Sequence, residues 1–298
     1  MNTSTDVVAE GFTFTETPRW HAGRQAWYFV DIDEGELWEM KDGVTRRLHS
    51  LNGDYLSGAV FDDADGFYLS SRSDRTILHL TNCLDGPGEV TVFSDLTNII
   101  SATIRDLTRG PDGDIYVGGS TFDAIASFDD PSIVPTRGPL LRVRPDGTGE
   151  IASDITNFPN GIVITPGNDR LLLADSYDEC VYAFPIHDDG SLGAGSMWAD
   201  LPGDVPDGMG LDEEGALWIA SAERGRVIRV LEGGTITDSI ELEGLVPTAC
   251  MLGGADGRTL LITVVGSIKR SIVQASRTSR LLAATVDVAG AGLPSVYA

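Results

Sequence analysis

The sequence predicts an all-β chain, a six-bladed β-propeller of four-stranded blades. Three observations carry this. One turn-and-strand motif recurs six times along the 298 residues. Each copy is followed by further strand-like runs with period-2 alternation. No stretch holds the helical period over a helix of ordinary length.

The copies follow in chain order. P-R-W-H-A-G-R-Q-A-W-Y-F-V-D starts at Pro18, A-V-F-D-D-A-D-G-F-Y-L-S at Ala59 and L-T-R-G-P-D-G-D-I-Y-V-G at Leu107. G-I-V-I-T-P-G-N-D-R-L-L-L-A-D starts at Gly161, G-M-G-L-D-E-E-G-A-L-W-I-A at Gly208 and M-L-G-G-A-D-G-R-T-L-L-I-T at Met251. Neighbours lie about 41 to 55 residues apart, the length of a four-stranded blade. The D-x-D-G-like segment of each copy is a turn, and the alternating run after it is a strand. Two more runs complete a blade, as R-V-I-R-V-L and T-I-T-D-S-I-E-L do after Gly208. The sixth copy is one strand short. The N-terminal run D-V-V-A-E-G-F-T-F has no blade of its own, so it is expected to supply the outermost strand of the sixth and close the ring. Residues 1–298 then read as one domain.

Bulk properties narrow the partners. A net charge of −24 disfavours nucleic acid and anionic membrane surfaces. No window reaches the ~18 apolar residues of a membrane span. The N-terminus has neither a basic start nor an apolar core, which reads as no signal peptide and a cytoplasmic protein. Cys83, Cys180 and Cys250 form no C-x-x-C and are expected to be buried thiols. A propeller buries its core without a partner, so a monomer is expected.

About five residues before each turn, the innermost strand begins. Those positions, Glu16, Ser57, Arg105, Asn160, Asp207 and the pair Ala249–Cys250, should ring one mouth of the central channel. Glu16, Asn160 and Asp207 are hard oxygen donors and suit Ca²⁺, Mg²⁺ or Mn²⁺. Three protein ligands leave positions open for water or substrate. By spacing alone the same residues also read as solvated turn residues.

Three segments resemble the senescence marker protein/gluconolactonase/luciferin-regenerating-enzyme family. E-T-P-R-W-H-A-G-R, from Glu16 to Arg24, is similar to the family's E-[SG]-P-x-W opening. F-P-N-G-I-V-I-T-P and P-D-G-M-G-L-D-E-E-G-A-L-W-I-A are the second and third, and together they span nearly the whole chain in order. The resemblance implies a six-bladed propeller with one catalytic divalent metal on the residues matching Glu16, Asn160 and Asp207. Ca²⁺ comes first, with Zn²⁺, Mn²⁺ or Mg²⁺ as alternatives. It also implies a small-molecule substrate, since family members include lactone hydrolases. Asp207 would join metal ligation to proton transfer. Gly161 would leave room beside the metal.

The chain departs from the family in the third blade. The usual N-D-G strand head is I-R-D-L here, so Arg105 replaces the Asn, Asp106 is kept, and Thr103 stands where an Arg is common. Arg105 could orient a carboxylate-bearing substrate, or pair with Asp106 and shape the rim. Ser57, Arg72 and Asp106 join Arg105 as candidate substrate contacts.

Loops after second strands fall on the same face as the ring. Residues 121–138 and 266–279 are too long for simple hairpins and are candidate lids or substrate walls. Asp31, Arg72, Asp175 and Ser221 end second strands on that face, with Asp175 a candidate support for a ligand. His21 and His187 sit in turn-like stretches and are expected to be solvated. Trp27, Trp38 and Trp218 read as packing between blades. No G-x-S-x-G, H-E-x-x-H, EF-hand or P-loop pattern occurs. The function expected is metal-dependent hydrolysis of a lactone or related cyclic ester. Two alternatives stand beside it: other chemistry on the same scaffold, such as phosphotriester hydrolysis, condensation or isomerisation, and non-catalytic binding of a metal or small molecule.

Overall fold

Six antiparallel sheets of four strands each follow one another along the chain. The structure is a computed structural model that describes residues 4–51, 55–127, 129–130 and 132–292. In blades 1 to 5 the strands pair in chain order, from the innermost strand outward. The innermost strands are Thr15–His21, Leu56–Phe61, Thr103–Arg109, Pro159–Ile164, Pro206–Leu211 and Val246–Gly253. Blade 6 is completed as expected: Asp6–Phe12 pairs with Ser279–Thr285 as its outer edge. The two ends of the chain therefore close the ring.

Burial follows position in the blade. Inner and second strands such as Leu56–Phe61 and Ala26–Asp31 are buried along their whole length, because neighbouring blades cover both faces. Outer strands such as Val44–Ser50 and Glu89–Asp95 are largely exposed. The core lies between blades. One cluster joins Val163, Leu172 and Val181 of blade 4 to Met209, Leu217 and Ile219 of blade 5. Trp218 packs with Cys250, Leu260 and Ile262 of the next blade, and Trp27 with Met251 and Leu261. Trp38 meets Phe12 edge-on at 5.3 Å across the closure. The tryptophans and the three buried, free cysteines behave as their pattern predicts.

The repeated aspartate of the turn has a structural task. In blade 2 Asp62 accepts the backbone N–H groups of Ala64 at 2.7 Å and Gly66 at 2.6 Å, and its other oxygen pairs with His79 of the third strand at 2.8 Å. In blade 5 Asp212 accepts from Glu214 and Ala216, both at 3.0 Å, and from Arg229 at 2.7 Å. One carboxylate thus closes the turn and ties the third strand to it.

His21 corrects an expectation. It ends an inner strand rather than lying in a turn, and only 4% of its surface is exposed. Its Nε2 pairs with Asp65 at 3.1 Å, and its ring packs edge-on against Phe61 with centroids 5.2 Å apart. His187 is exposed, as expected.

All six inner strands break register near the mouth. The irregularities fall between Glu16 and Arg19, Leu56 and Gly58, Ile104 and Leu107, Pro159 and Ile162, Pro206 and Met209, and Pro247 and Ala249. A bulge inserts residues that have no partner opposite and re-aims their side chains. The sixth ring position is consequently Thr248, which lines the central cavity, and not Ala249–Cys250. Cys250 turns into the core between blades 5 and 6.

Candidate active site

Two of the three loops that carry the candidate ligands are held by a buried aspartate from the end of a second strand; in blade 5 that position is Ser221. Asp31 accepts the N–H groups of Thr13 at 2.9 Å and Phe14 at 2.8 Å, just ahead of Glu16. Asp175 accepts those of Asn157 at 2.6 Å and Phe158 at 3.0 Å, just ahead of Asn160. It also takes Tyr177 and Asp178, both at 3.2 Å. Four donors on one carboxylate fix the path of the chain into the bulge.

Bulge geometry then aims the side chains. Thr17 has φ 51°, a strained value for a β-branched residue, and its N–H meets the Glu16 carboxylate at 2.9 Å. Gly161 explains the Asn-Gly pair. A Cβ there would lie 2.6 Å from the Asp207 carbonyl oxygen and 2.9 Å from the Gly208 Cα. A Cβ on Gly208 would likewise meet Ala249 Cβ at 2.3 Å. These glycines make room for the adjacent blade's backbone, which corrects the expectation that Gly161 clears space for a metal. Their effect is to let inner strands approach closely enough for ring residues to converge.

Glu16, Asn160 and Asp207 line one cavity of about 470 Å³, a volume suited to a small molecule. The two carboxylates sense each other. Burial and the charges of Asp207 and Asp106 hold the Glu16 carboxyl well above the usual carboxylate range. Burial pushes Asp207 up to about 7, with Arg105 opposing and Asp106 reinforcing the rise. Arg19 and Arg105 act on the pair through space, and among the described residues neither carboxylate forms an ion pair. Ser176 completes the set. Its hydroxyl donates to the Pro206 carbonyl at 2.7 Å and accepts from Asn160 Nδ2 at 3.1 Å. That direction commits the amide nitrogen and leaves Asn160 Oδ1 unspent.

This donor set fits a hard divalent cation. Two buried carboxylates at mutual electrostatic cost have no ion-pair partner among the described residues, and a free amide oxygen stands with them. Among the described residues no three His, Cys, Asp or Glu side chains gather as a possible metal group. The candidate set differs in drawing its third donor from an amide.

The other ring residues divide. Asp106 pairs with Arg19 at 3.0 Å and not with Arg105. Ser57 donates to the Ile104 carbonyl at 2.9 Å and contacts Ser70 Oγ at 3.1 Å, bracing blade 2 against blade 3. Arg105 lies with its guanidinium 3.4 Å from the Phe158 ring centroid. Arg72 lines the same cavity. Ser221, in contrast, donates to Asp204 at 2.6 Å and is fully buried. The sequence assigns no role to Ser176, Thr17, Phe158 and Tyr177, although Thr17 and Phe158 lie within the motifs. Ser176 is signalled only by its place after Asp175, and Phe158 by its place two before Asn160.

Both long insertions reach the site. Residues 121–138 contain a helical turn, Ala124–Ser127, and residues 266–279 a short helix, Arg270–Ser276. Ile268 and Val273 line the cavity. Phe122 and Ala124 pack on Phe158. The two insertions meet where the Ser271 N–H and hydroxyl each face Asp129 at 3.4 Å. Residues 266–279 thus supply part of the cavity lining, and residues 121–138 back the lining residue Phe158.

Residues 14–266 match the sequence model of the SMP-30/Gluconolactonase/LRE-like region. The 6-deoxy-6-sulfogluconolactonase of Pseudomonas putida is 31% identical over 264 residues, covering 86% of this chain and 85% of its own length. The pentonolactonase XacC of Haloferax volcanii is 24% identical, covering 89% and 86%. Among solved structures, the calcium-binding protein regucalcin of Agrobacterium tumefaciens superposes with a TM-score of 0.80 at 18% identity, over 99% of this chain and 98% of its own, and shares the fold.

Proposed function

This chain belongs to the SMP-30/gluconolactonase/LRE-like family, and on that premise we propose that it is a divalent-metal-dependent hydrolase of a lactone or related cyclic ester. Relatives named as lactonases support the reaction class. The observation that carries the metal is the convergence of two buried carboxylates, Glu16 and Asp207, without an ion-pair partner among the described residues. Glu16, Asn160 and Asp207 would hold the ion. Ca²⁺ is preferred, in keeping with the calcium-binding relative of the same fold, and Zn²⁺, Mn²⁺ or Mg²⁺ satisfy the same donors less selectively. A bound divalent cation supplies carbonyl polarisation and a more acidic water.

The chain's own residues do the rest. Asp207 accepts a proton from the attacking water and returns it to the ring oxygen as the acyl C–O bond breaks, yielding a hydroxy acid. Arg105 orients the substrate through the edge of its guanidinium, held in plane by Phe158. Asp106 and Ser57 hold the cavity floor, and Arg72 contacts the substrate from blade 2. Phe158, Tyr177, Ile268 and Val273 form an apolar wall that limits water. The same reading has the protein cytoplasmic and acting as a monomer, the latter supported by ring closure within one chain.

Two measurements test it. Purified protein should carry about one divalent ion, and chelation should remove both the ion and the activity. A pH-drop screen over sugar, aliphatic and aromatic lactones should then find turnover. A second reading, phosphotriester hydrolysis, is favoured by one observation: a guanidinium, Arg105, stands in the cavity. Turnover of phosphotriesters with none of any lactone would select it.

A further inference from the structure

Two arginines face the cavity with donors unspent. Arg72 follows the second strand of blade 2, and Arg105 sits in the bulge of the adjacent blade 3. Each is 7% exposed. Among the described residues neither forms an ion pair, and Arg72 Nε, Arg105 Nε and Arg105 Nη2 have no hydrogen-bond partner. Every other largely buried arginine among the described residues is in an ion pair: Arg19 with Asp106, Arg109 with Asp63, Arg142 with Asp114 and Arg229 with Asp212.

We propose that Arg72 and Arg105 form an anion subsite, and that the natural lactone carries a fixed anionic oxo group, carboxylate or sulfonate, bound between them. This rests on the lactone-hydrolase reading and names its substrate class. Several observations point the same way. Stacking on Phe158 at 3.4 Å engages the face of the Arg105 guanidinium and leaves its edge nitrogens for oxygen acceptors. The two cations repel each other, and burial adds to that cost. Unsatisfied buried donors of like charge are retained at a cost unless an anion answers them.

The nearby carboxylates do not answer them. Asp175 is occupied by four backbone N–H groups. Glu16 and Asp207 act on Arg72 only through space, as do Asp33 and Asp123. Of the other acids that line the cavity, Asp106 is paired with Arg19, and among the described residues Asp33, Glu179 and Glu223 form no ion pair with Arg72 or Arg105. A neutral sugar hydroxyl or one ester carbonyl would use a single donor and leave the second cation unmatched.

The test is a matched set of lactones with one ring: neutral, bearing an exocyclic carboxylate, or bearing an exocyclic sulfonate. At least one anionic lactone should be turned over with kcat/KM about 100-fold above the neutral one, the scale of a desolvated charge-assisted contact. The faster anion identifies the natural group. Arg72→Gln and Arg105→Gln should each cut that preference about tenfold or more, and Arg105→Lys should restore only part of it, since it keeps the charge without the fork. Neutral and anionic lactones turned over alike, or a preference that survives in both Gln variants, overturns the subsite and leaves lactone hydrolysis standing. If no lactone is turned over, calorimetry of the metal-loaded protein with a hydroxy acid bearing a second carboxylate or a sulfonate decides: binding weakened about tenfold in Arg105→Gln supports the subsite, and no binding overturns it. If either variant fails to fold, the wild-type protein decides alone: an anionic preference suppressed by added sulfate supports the subsite, and one that sulfate leaves intact overturns it.

Discussion

Ser176 accepts a hydrogen bond from the Asn160 side-chain amide at 3.1 Å while donating its own proton to the Pro206 carbonyl at 2.7 Å. One hydroxyl thereby links the strand carrying Asn160 to the strand carrying Asp207, and it sets which end of the amide is free. Ser176→Ala should lower divalent-metal affinity about 10- to 100-fold, the usual effect of losing a group that orients a ligand. Calorimetric titration checks this. An unchanged affinity would show that the amide is oriented without Ser176.

Asp207→Ala should abolish turnover, by at least about 10³-fold, because in the proposed mechanism one side chain both holds the ion and moves the proton. Asp207→Asn keeps the shape and should be nearly as poor. Steady-state rates on any lactone the wild type accepts settle the point. Substantial activity in either variant places the chemistry elsewhere.

The metal-free protein should lose stability as pH rises from about 4 to 7. Folded Asp207 keeps its proton up to about 7, and Glu16 is shifted in the same direction. Unfolded carboxyls release theirs near pH 4. Within that window the folded state binds more protons than the unfolded one, so stability is greatest at the acidic end and declines toward neutrality. Thermal melts of chelated protein should show the decline, Asp207→Asn should flatten it, and a saturating divalent ion should reverse it. A chelated wild type and Asp207→Asn with parallel pH profiles would falsify the assignment.

Asp175→Ala should destabilise the fold by about 3 kcal/mol, since it strands several backbone donors of the loop into Asn160. Denaturant unfolding gives the number. A loss under about 0.5 kcal/mol would mean the loop finds other acceptors.

Gly161→Ala should destabilise by about 2 kcal/mol and weaken metal binding together, because the new methyl must push the Asp207 carbonyl away from a 2.6 Å approach. Melting temperature and metal titration on the same sample read both effects. A stable variant with unaltered affinity would show that the blades are not pressed together there.

Much of the fold was legible because a repeat announces itself. Asp62 and Asp212 recur with the turn they close, and the alternating runs after them are the strands they lead into. The missing strand of blade 6 and the spare N-terminal run were each visible as a count, and Asp6–Phe12 fills the gap. Glu16, Asn160 and Asp207 could be placed at strand heads because each precedes its turn by the same stretch of chain. His21 could not, since its local sequence resembles a turn and only the neighbouring blade, through Phe61 and Asp65, seals it.

The sequence by itself determined the propeller, its closure and the placement of Glu16, Asn160 and Asp207 at the mouth, because those depend on local patterning that repeats. Only the tertiary structure decided what lies between blades. It put Thr248 rather than Ala249–Cys250 at the sixth position, assigned Asp106 to Arg19, tied the Asn160 amide to Ser176, and left Arg105 and Arg72 without an ion-pair partner among the described residues. Bulges cause this difference: a shift of one or two residues in a strand changes which side chain turns inward, and the contacts that the turned side chain then meets belong to the blade alongside.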